Sequence, residues 1–179
     1  MLSIALLNRL KDTVDLKLRE EQTSFRRGRS YFEQIFTLRN IIEQCIEFQN
    51  TLVLNFFDFK KAFDSIHRES LWKILALYGI PQKYITIIYM NSSCCVKTEN
   101  GFSLFFAIVT GARQGCILSP FLFLIVVDFI LHKTMEGSRF GIKRLDQSRF
   151  ADLDFADDYI ALVESDMDKL NELTHKLYV

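Results

Sequence analysis

Two acidic sites in the sequence have residue types that could bind a metal ion. Asp58 ends an apolar run that begins at Leu52, so one carboxylate lies at the exit of a candidate strand. Asp157 and Asp158 are adjacent and lie between two apolar segments. Like charges placed side by side raise each other's pKa, and a divalent cation removes this cost. Mg²⁺ prefers oxygen ligands, so two or three such carboxylates, together with substrate phosphate oxygens, could form a magnesium shell.

Each acidic site also has an ordinary structural interpretation. A buried, unpaired carboxylate is costly, so Asp58 needs a cation, a hydrogen-bond network or exposure at the end of its strand. Asp157 and Asp158 equally fit an acidic surface turn. The local sequence leaves both interpretations open.

A glycine-flanked loop is the third candidate site. Gly111 and Gly115 lie on either side of Arg113 and Gln114, and glycines permit a ligand to approach the backbone closely. The two side chains offer a positive charge and amide hydrogen bonds. Glycines also serve ordinary turns, so this loop is weak evidence when taken alone.

Basic residues are locally clustered but balanced over the whole chain. Arg26, Arg27 and Arg29 surround Gly28, which could suit a phosphate or flank a helix start. The chain has 22 Lys and Arg against 22 Asp and Glu. It therefore lacks the basic excess of a self-sufficient nucleic-acid binder.

A fourth pattern supports a different enzyme class. Asp152 and Asp154 form a D-x-D pattern, which is associated with nucleotide-sugar transferases. We keep this transferase as an alternative function.

The spacing of apolar residues and capping signals predicts five helices. The fourth is apolar on nearly all sides and should be central to the core. The predicted starts and ends are Ser30 to near Asn50, Asp64 or Ser65 to Tyr78, Pro81 to about Ser92, Ser119 to about Met135, and Ser165 with Asp168 onward.

Strand signals fall between these helices. The run 52–57 predicts a buried strand, 96–107 predicts a hairpin that turns at Asn100 and Gly101, and 150–163 predicts two strands joined across 156–158. Mixed strands and helices indicate an α+β or α/β architecture. With seven glycines, two prolines and no evident linker, a single domain is expected.

Cysteine usage and hydropathy favour an intracellular protein without a membrane role. The four cysteines form no C-x-x-C pair, which fits a reducing compartment, nuclear or cytoplasmic. No secretory signal is predicted at the start. The apolar run 121–127 is interrupted by Asp128, well short of the ~18–20 residues that span a bilayer.

Four segments, taken in order, resemble the reverse transcriptase family, and most closely its non-LTR, LINE-type retrotransposon branch. They are 21–30 (E-Q-x-x-F-R-x-G-R-S), 57–65 (motif A), 113–123 (motif B) and 155–158 (the F-A-D-D box of motif C). Thr23 and Ser24 stand where the branch usually has Ala-Gly. Four such blocks in the right order are far more specific than any one of them.

The resemblance implies an α+β fold: a right-hand polymerase palm with partial fingers and a small antiparallel sheet packed on helices. Residues 1–179 would form a single truncated reverse transcriptase domain. About 1–50 would be partial fingers, about 51–179 the palm with the fingers-palm insertion, and the thumb would be absent.

The resemblance also assigns roles to individual residues. Asp58 and Asp157 would bind two Mg²⁺ ions, for which Mn²⁺ could substitute, with Asp158 beside them and the Phe59 carbonyl as a further ligand. These acids would catalyse transfer of a nucleotide from a dNTP to a primer 3′ hydroxyl. Phe63 would be the steric gate that excludes ribonucleotides.

The implied partners are an RNA template, a DNA primer and dNTPs; protein partners stay unknown. Gln114, Gly115 and Arg113 would line the nucleotide and template, and Arg26 and Arg29 would face the nucleic-acid backbone. We expect little activity from this chain in isolation. A catalytically dead or domesticated relic that binds nucleic acid or protein is the alternative of a different class.

Overall fold

The computed structural model describes residues 2–19, 21–23, 26, 28–89, 93–99, 101–112, 115–136, 140–143, 149–155 and 159–178. Four of the predicted site residues lie outside these ranges: Arg113, Gln114, Asp157 and Asp158. The chain divides into two compact units. The first comprises Met1–Lys17 and Lys61–Ile125, and the second comprises Leu18–Lys60 and Val126–Val179.

Helices and short strands alternate along the chain. The helices are α1 (Leu2–Asp15), α2 (Tyr31–Glu47), α3 (Ala62–Ser65), α4 (Arg68–Leu77), α5 (Gln82–Tyr89), α6 (Ser119–Met135) and α7 (Met167–Tyr178). The strands are β1 (Val53–Asp58), β2 (Ser93–Cys94), β3 (Lys97–Thr98), β4 (Gly101–Phe102), β5 (Phe106–Ala107), β6 (Ile142–Lys143), β7 (Arg149–Phe150), β8 (Asp152–Phe155) and β9 (Tyr159–Glu164).

The second unit is built on an antiparallel sheet with the strand order β1-β9-β8. In this register Val53 pairs with Glu164 and Asp58 pairs with Tyr159. Strands β8 and β9 form the hairpin that the sequence predicts across 156–158. Sequence-distant β1 therefore lies directly beside the strand that follows the predicted acidic turn.

One face of this sheet packs on α2. Side chains alternate between the two faces of a strand, so residues two apart share a face. The core on this face centres on three fully buried residues, with partly buried apolar residues around them: Leu153, Ala161 and Val163, packed against Leu38, Ile41, Leu52, Leu54, Ile142 and Phe150.

The prediction that β1 is buried is only partly correct. Phe56 is 55% exposed, and Asp58, two residues further on, is also exposed. On the opposite face, the Asn55 amide donates to the Thr174 hydroxyl of α7. The end of β1 is therefore open on the face that carries Phe56 and Asp58.

Two helix starts differ from the sequence prediction. Asp64 and Ser65 do not cap α4 but lie inside the separate short helix α3, and α4 begins at Arg68. Ile66 is buried and extended, and its carbonyl accepts from the Gly111 N–H at 2.8 Å. This tertiary contact breaks the helix where local spacing favoured continuity.

The start of α7 also differs from the prediction. The Asp166 carboxylate, rather than Ser165, accepts from the Asp168 N–H at 2.8 Å. At the start of α2, by contrast, the predicted cap is confirmed, because the Ser30 hydroxyl accepts from the Phe32 N–H.

The first unit contains two nested pairs of two-residue strands, β2 with β5 and β3 with β4, so residues 96–107 do form a hairpin. The predicted turn at Asn100 and Gly101 is displaced, because Gly101 lies in β4 and pairs with Thr98; Asn100 lies outside the described residues. Helix α6 carries the most apolar sequence and, as predicted, is buried along its length. Its buried residues within the first unit are Ser119, Phe121, Leu122, Phe123, Leu124 and Ile125. None of the described helices is both long and apolar enough to cross a membrane. Helix α1 and the β6–β7 pair had no sequence prediction.

Candidate active site

Asp58 is the described member of the predicted metal site. It is the last residue of β1, its side chain is exposed, and it pairs across the sheet with Tyr159. Of the three environments predicted for this carboxylate, the structure has the exposed strand end. In the sequence, Asp157 and Asp158 come two and one positions before Tyr159.

The described part of the site suits a hard divalent cation. Asp58 offers carboxylate oxygens at an open strand end, and Phe59 is the next residue along the chain. Oxygen donors of this kind are the ligands that Mg²⁺ and Mn²⁺ take. Among the described residues, no group of three or more His, Cys, Asp or Glu is placed to hold a metal ion.

Phe63 lies in α3 and contacts two elements of the first unit. Its ring centroid is 5.1 Å from that of Phe123 on α6, and its carbonyl accepts from the Ala112 N–H at 2.8 Å. Gly111 has a φ of +83°, and a Cβ there would be 3.3 Å from the Asp64 Cα. The loop that leads to residues 113 and 114 therefore packs closely against α3 and is hydrogen-bonded to it.

The second glycine of this loop is less crowded. Gly115 has a φ of +78°, and a Cβ built there would have no heavy atom within 4 Å. Its conformation, rather than its surroundings, requires glycine.

Arg68 was not predicted from the sequence but holds the same loop. Its guanidinium donates to the carbonyls of Ile108 at 2.6 Å and Gly111 at 3.1 Å. The group also lies over the Tyr89 ring, 4.9 Å from its centroid. No local pattern could have identified it, since its partners lie about 40 residues away.

The two predicted nucleic-acid-binding arginines differ in their surroundings. Arg26 is half-buried, and its Nη1 donates to the carbonyls of Arg19 and Gln22 at 2.8 and 2.9 Å. Arg29 is exposed. In the described structure Arg26 stabilises its own turn, whereas the Arg29 side chain faces solvent.

A buried ionic cluster in the second unit was also missed from the sequence. The Arg19 guanidinium donates to Asp128 of α6 at 3.2 Å, to both oxygens of Asp152 at 3.0 and 2.8 Å, and to Asp154 at 3.1 Å. We call these four residues the Arg19 cluster. The Arg19 side chain is 12% exposed and the three acids are 1–3% exposed.

The Arg19 cluster argues against the D-x-D interpretation of Asp152 and Asp154. Both carboxylates are buried and bonded to Arg19, so neither is available to a metal-bound diphosphate. Burial opposes the charge on Arg19, but attraction to Asp152 and Asp154 outweighs it and raises the pKa of the guanidinium. Burial, with the charge of Asp152, raises the pKa of Asp154 well above its usual range.

A family model described as reverse transcriptase (RNA-dependent DNA polymerase) matches residues 1–178, nearly the whole chain. The chain belongs to the reverse transcriptase family. The four sequence blocks are thus explained together, and the predicted family is confirmed. Reverse transcriptases are nucleotidyltransferases that use divalent metal ions.

The similar curated proteins are retrotransposon proteins, as the sequence predicted. This reverse transcriptase chain is 32% identical over 117 residues to a Pol polyprotein of retrotransposable element R2 from Nasonia vitripennis, covering 64% of the chain and 11% of that protein. It is 27% identical over 135 residues to a protein of transposon TX1 from Xenopus laevis, covering 72% of the chain and 10% of that protein. Across the curated relatives, the chain spans 10–20% of their length.

Solved structures of telomerase share the fold. The TM-score is 0.68 with telomerase from Candida albicans, at 14% identity, covering 96% of this chain and 31% of that one. It is 0.65 with telomerase from Candida tropicalis, at 18% identity, covering 95% and 30%. The predicted polymerase fold, with helices and small antiparallel sheets, is confirmed.

Proposed function

We propose that this chain supplies the metal-binding palm and part of the fingers of a retrotransposon RNA-directed DNA polymerase. The observation that carries the proposal is the register of the central sheet, in which exposed Asp58 pairs with Tyr159. Asp157 and Asp158 directly precede Tyr159, so the chain length between them permits contact with ions beside Asp58. The division into partial fingers (1–50) and palm (51–179) is part of this proposal.

Asp58 and Asp157 would hold two Mg²⁺ ions, with Asp158 and the Phe59 carbonyl nearby; Mn²⁺ could replace Mg²⁺. Two bound ions activate a primer 3′ hydroxyl and stabilise charge on the transferring phosphate and the leaving pyrophosphate. The protein's part is to orient oxygen ligands and exclude misaligned substrates, since phosphoryl transfer depends mainly on positioning and charge compensation.

Phe63 would select deoxynucleotides. Packing against Phe123 and the hydrogen bond from Ala112 restrict where its ring and backbone can move. A fixed aromatic ring beside the sugar would collide with a ribose 2′ hydroxyl. Gly115, together with Gln114 and Arg113, would line the nucleotide and template on the same loop.

An RNA template, a DNA primer and dNTPs are the proposed partners. Family membership supports an RNA template, and two of the telomerase structures that share this fold were solved with a fragment of telomeric RNA. Arg29 is exposed and would contact the nucleic-acid backbone, and Arg26 would support it by holding the turn.

Primer extension tests the proposal. The chain would be fused to the thumb-bearing segment of a related retrotransposon polymerase and supplied with primed RNA, dNTPs and Mg²⁺. We expect Asp58→Asn and Asp157→Asn to abolish incorporation, because each removes an ion ligand. Asp168→Asn, the same chemical change at an exposed position on α7, is the matched control and should retain activity.

Incorporation by Asp58→Asn and Asp157→Asn at the wild-type rate would refute the catalytic assignment. A wild-type fusion that binds primed RNA without extending it would instead support the catalytically dead relic. Nucleotide selection is measured separately, by comparing incorporation of rNTPs and dNTPs. We expect Phe63→Val to incorporate ribonucleotides and to discriminate less strongly between rNTPs and dNTPs than the wild type.

A further inference from the structure

The Arg19 cluster connects elements that are far apart in the sequence. Arg19 is separated by 109 positions from Asp128 and by 133 and 135 positions from Asp152 and Asp154. The backbone N–H of Arg19 also donates to Asp128, at 3.2 Å. One side chain thus ties the segment before α2 to both α6 and β8 within the second unit.

Strand β8 is restrained on both of its faces. Asp152 and Asp154 project to one face and bond to Arg19, while Leu153 projects to the other face and is fully buried in the core that includes α2. Among the described strands β8 pairs with β9 alone, so it is an edge strand of the sheet. On the face that carries the two acids, the described contact that holds β8 is with Arg19.

Strand β8 ends at Phe155, two positions before Asp157 in the sequence. We propose that Arg19 is a positioning residue of the metal site, which acts by holding β8 so that Asp157 and Asp158 can reach ions beside Asp58. This inference rests on the proposed polymerase function. Arg19 itself would touch neither the metal ions nor the substrates.

The charge balance of the Arg19 cluster suggests that it serves geometry more than stability. Three carboxylates face one guanidinium, and Asp154 Oδ1 is buried with no hydrogen-bond partner among the residues that the structure describes. Buried ion clusters are often no more stable than apolar packing of the same volume. The Arg19 cluster instead fixes the orientation of the three carboxylates, because a planar guanidinium bonds each of them at a set angle.

Lysine could not replace Arg19 in this role. An ammonium is a single point charge with three donors, whereas the guanidinium presents donors along a rigid plane to three carboxylates at once. Arg19→Lys keeps the positive charge and removes the planar set of guanidinium donors. It therefore separates a geometric role from a purely electrostatic one.

Manganese binding to the 179-residue chain is the test, followed by water-proton relaxation. The first comparison is between the wild type and Asp58→Asn. If the wild type binds Mn²⁺ and Asp58→Asn does not, the metal site of the proposed function is established. We then expect Arg19→Lys to weaken Mn²⁺ binding by about 10- to 100-fold, the usual effect of losing a residue that orients metal ligands. Arg39→Lys, which alters an exposed pair with Glu43 in the same unit, should bind as wild type.

A second variant distinguishes positioning from general stability. Arg19→Met combined with Asn at positions 128, 152 and 154 removes every buried charge of the Arg19 cluster, so no buried acid is left without its arginine. We expect this variant to fold, as measured by urea denaturation, and still to bind Mn²⁺ weakly. Wild-type Mn²⁺ affinity in either Arg19→Lys or this variant would overturn the positioning role, while the Asp58→Asn result would stand independently.

In the thumb-bearing fusion, a positioning role also predicts a kinetic signature. Arg19→Lys should lower kcat on the order of 10²-fold with little change in KM for dNTP, as expected for misplaced catalytic groups. A rise in KM with unchanged kcat would contradict the inference, because it would place Arg19 in substrate binding.

Discussion

Gly111 is the residue at which the 108–112 loop comes closest to α3. Its φ is positive, and a Cβ at this position would lie only 3.3 Å from the Asp64 Cα, so both features disfavour larger residues. We expect Gly111→Ala to lower the free energy of unfolding by more than the ~1–2 kcal/mol that left-handed strain alone costs.

Gly28→Ala is the control for this effect. Gly28 has a similar φ of +75°, yet a Cβ there would meet no atom within 4 Å. Urea denaturation of both variants should show a smaller loss for Gly28→Ala. Equal losses would mean that the contact between the loop and α3 contributes nothing.

Asp154 gives a prediction of pH dependence. Burial, with the charge of Asp152, raises the pKa of Asp154 in the folded protein. The folded state then keeps a proton that the unfolded state releases above about pH 4. The contribution of Asp154 to the free energy of unfolding therefore falls as the pH rises above about 4. Residue 154 cannot titrate in Asp154→Asn, so the stability of this variant relative to wild type should increase as the pH rises above about 4.

Urea denaturation at several pH values measures this difference. Each unit by which the pKa is raised corresponds to ~1.4 kcal/mol. Asp168→Asn, the same chemical change at an exposed position on α7, is measured alongside as the control. An Asp154→Asn difference that stays constant with pH would show that Asp154 ionises normally in the folded state.

At the scale of elements, two helices end in the same way with different residues. After α2, the Asn50 N–H donates to the Cys45 carbonyl, and Gln49 adopts a φ of +53°. After α4, the Ile80 N–H donates to the Leu75 carbonyl, and Gly79 has a φ of +80°. Both are Schellman motifs, but only α4 has the glycine that this conformation favours.

Gln49→Gly should therefore stabilise the protein. Relief of left-handed strain outweighs the added freedom of glycine in the unfolded chain, and we expect a gain of about 0.5–1 kcal/mol. Gly79→Ala should cost about 1 kcal/mol for the converse reason. Thermal unfolding checks both, and a loss of stability in Gln49→Gly would mean that the Gln49 side chain makes compensating contacts.

At the scale of the whole molecule, the balanced charge predicts weak binding to nucleic acid. With 22 basic and 22 acidic residues, the chain has a formal net charge of zero. Affinity for nucleic acid falls with salt in proportion to the phosphates that are neutralised. We expect the isolated chain to bind primed RNA weakly and with a shallow dependence on salt.

Fluorescence anisotropy between about 50 and 200 mM KCl measures that dependence. Arg29→Ala should make the slope of log affinity against log salt concentration shallower by about one, the change expected for the loss of one contact with a phosphate of the nucleic acid. A steep slope for the wild-type chain would show that the basic residues are grouped on one surface despite the neutral total.

The sequence alone determined the family, helices such as α2 and α6, and the hairpin of β8 and β9, but not helix α1 or the β6–β7 pair. The four polymerase blocks, the capped α2 and the apolar α6 are local patterns that depend on residue type and spacing. The hairpin of β8 and β9 was likewise visible as two apolar segments around a polar turn. The roles of Asp157, Asp158, Arg113 and Gln114 stay predictions, since these residues lie outside the described ranges.

Only the tertiary structure decided which distant residues meet. Asp58 pairs with Tyr159 across the sheet, and Arg19 bonds acids more than 100 positions away; neither contact leaves a local period in the sequence. The same is true of Ile66, whose contact with Gly111 splits the predicted helix into α3 and α4. Long-range contacts of this kind depend on how elements pack, which residue spacing along the chain does not record.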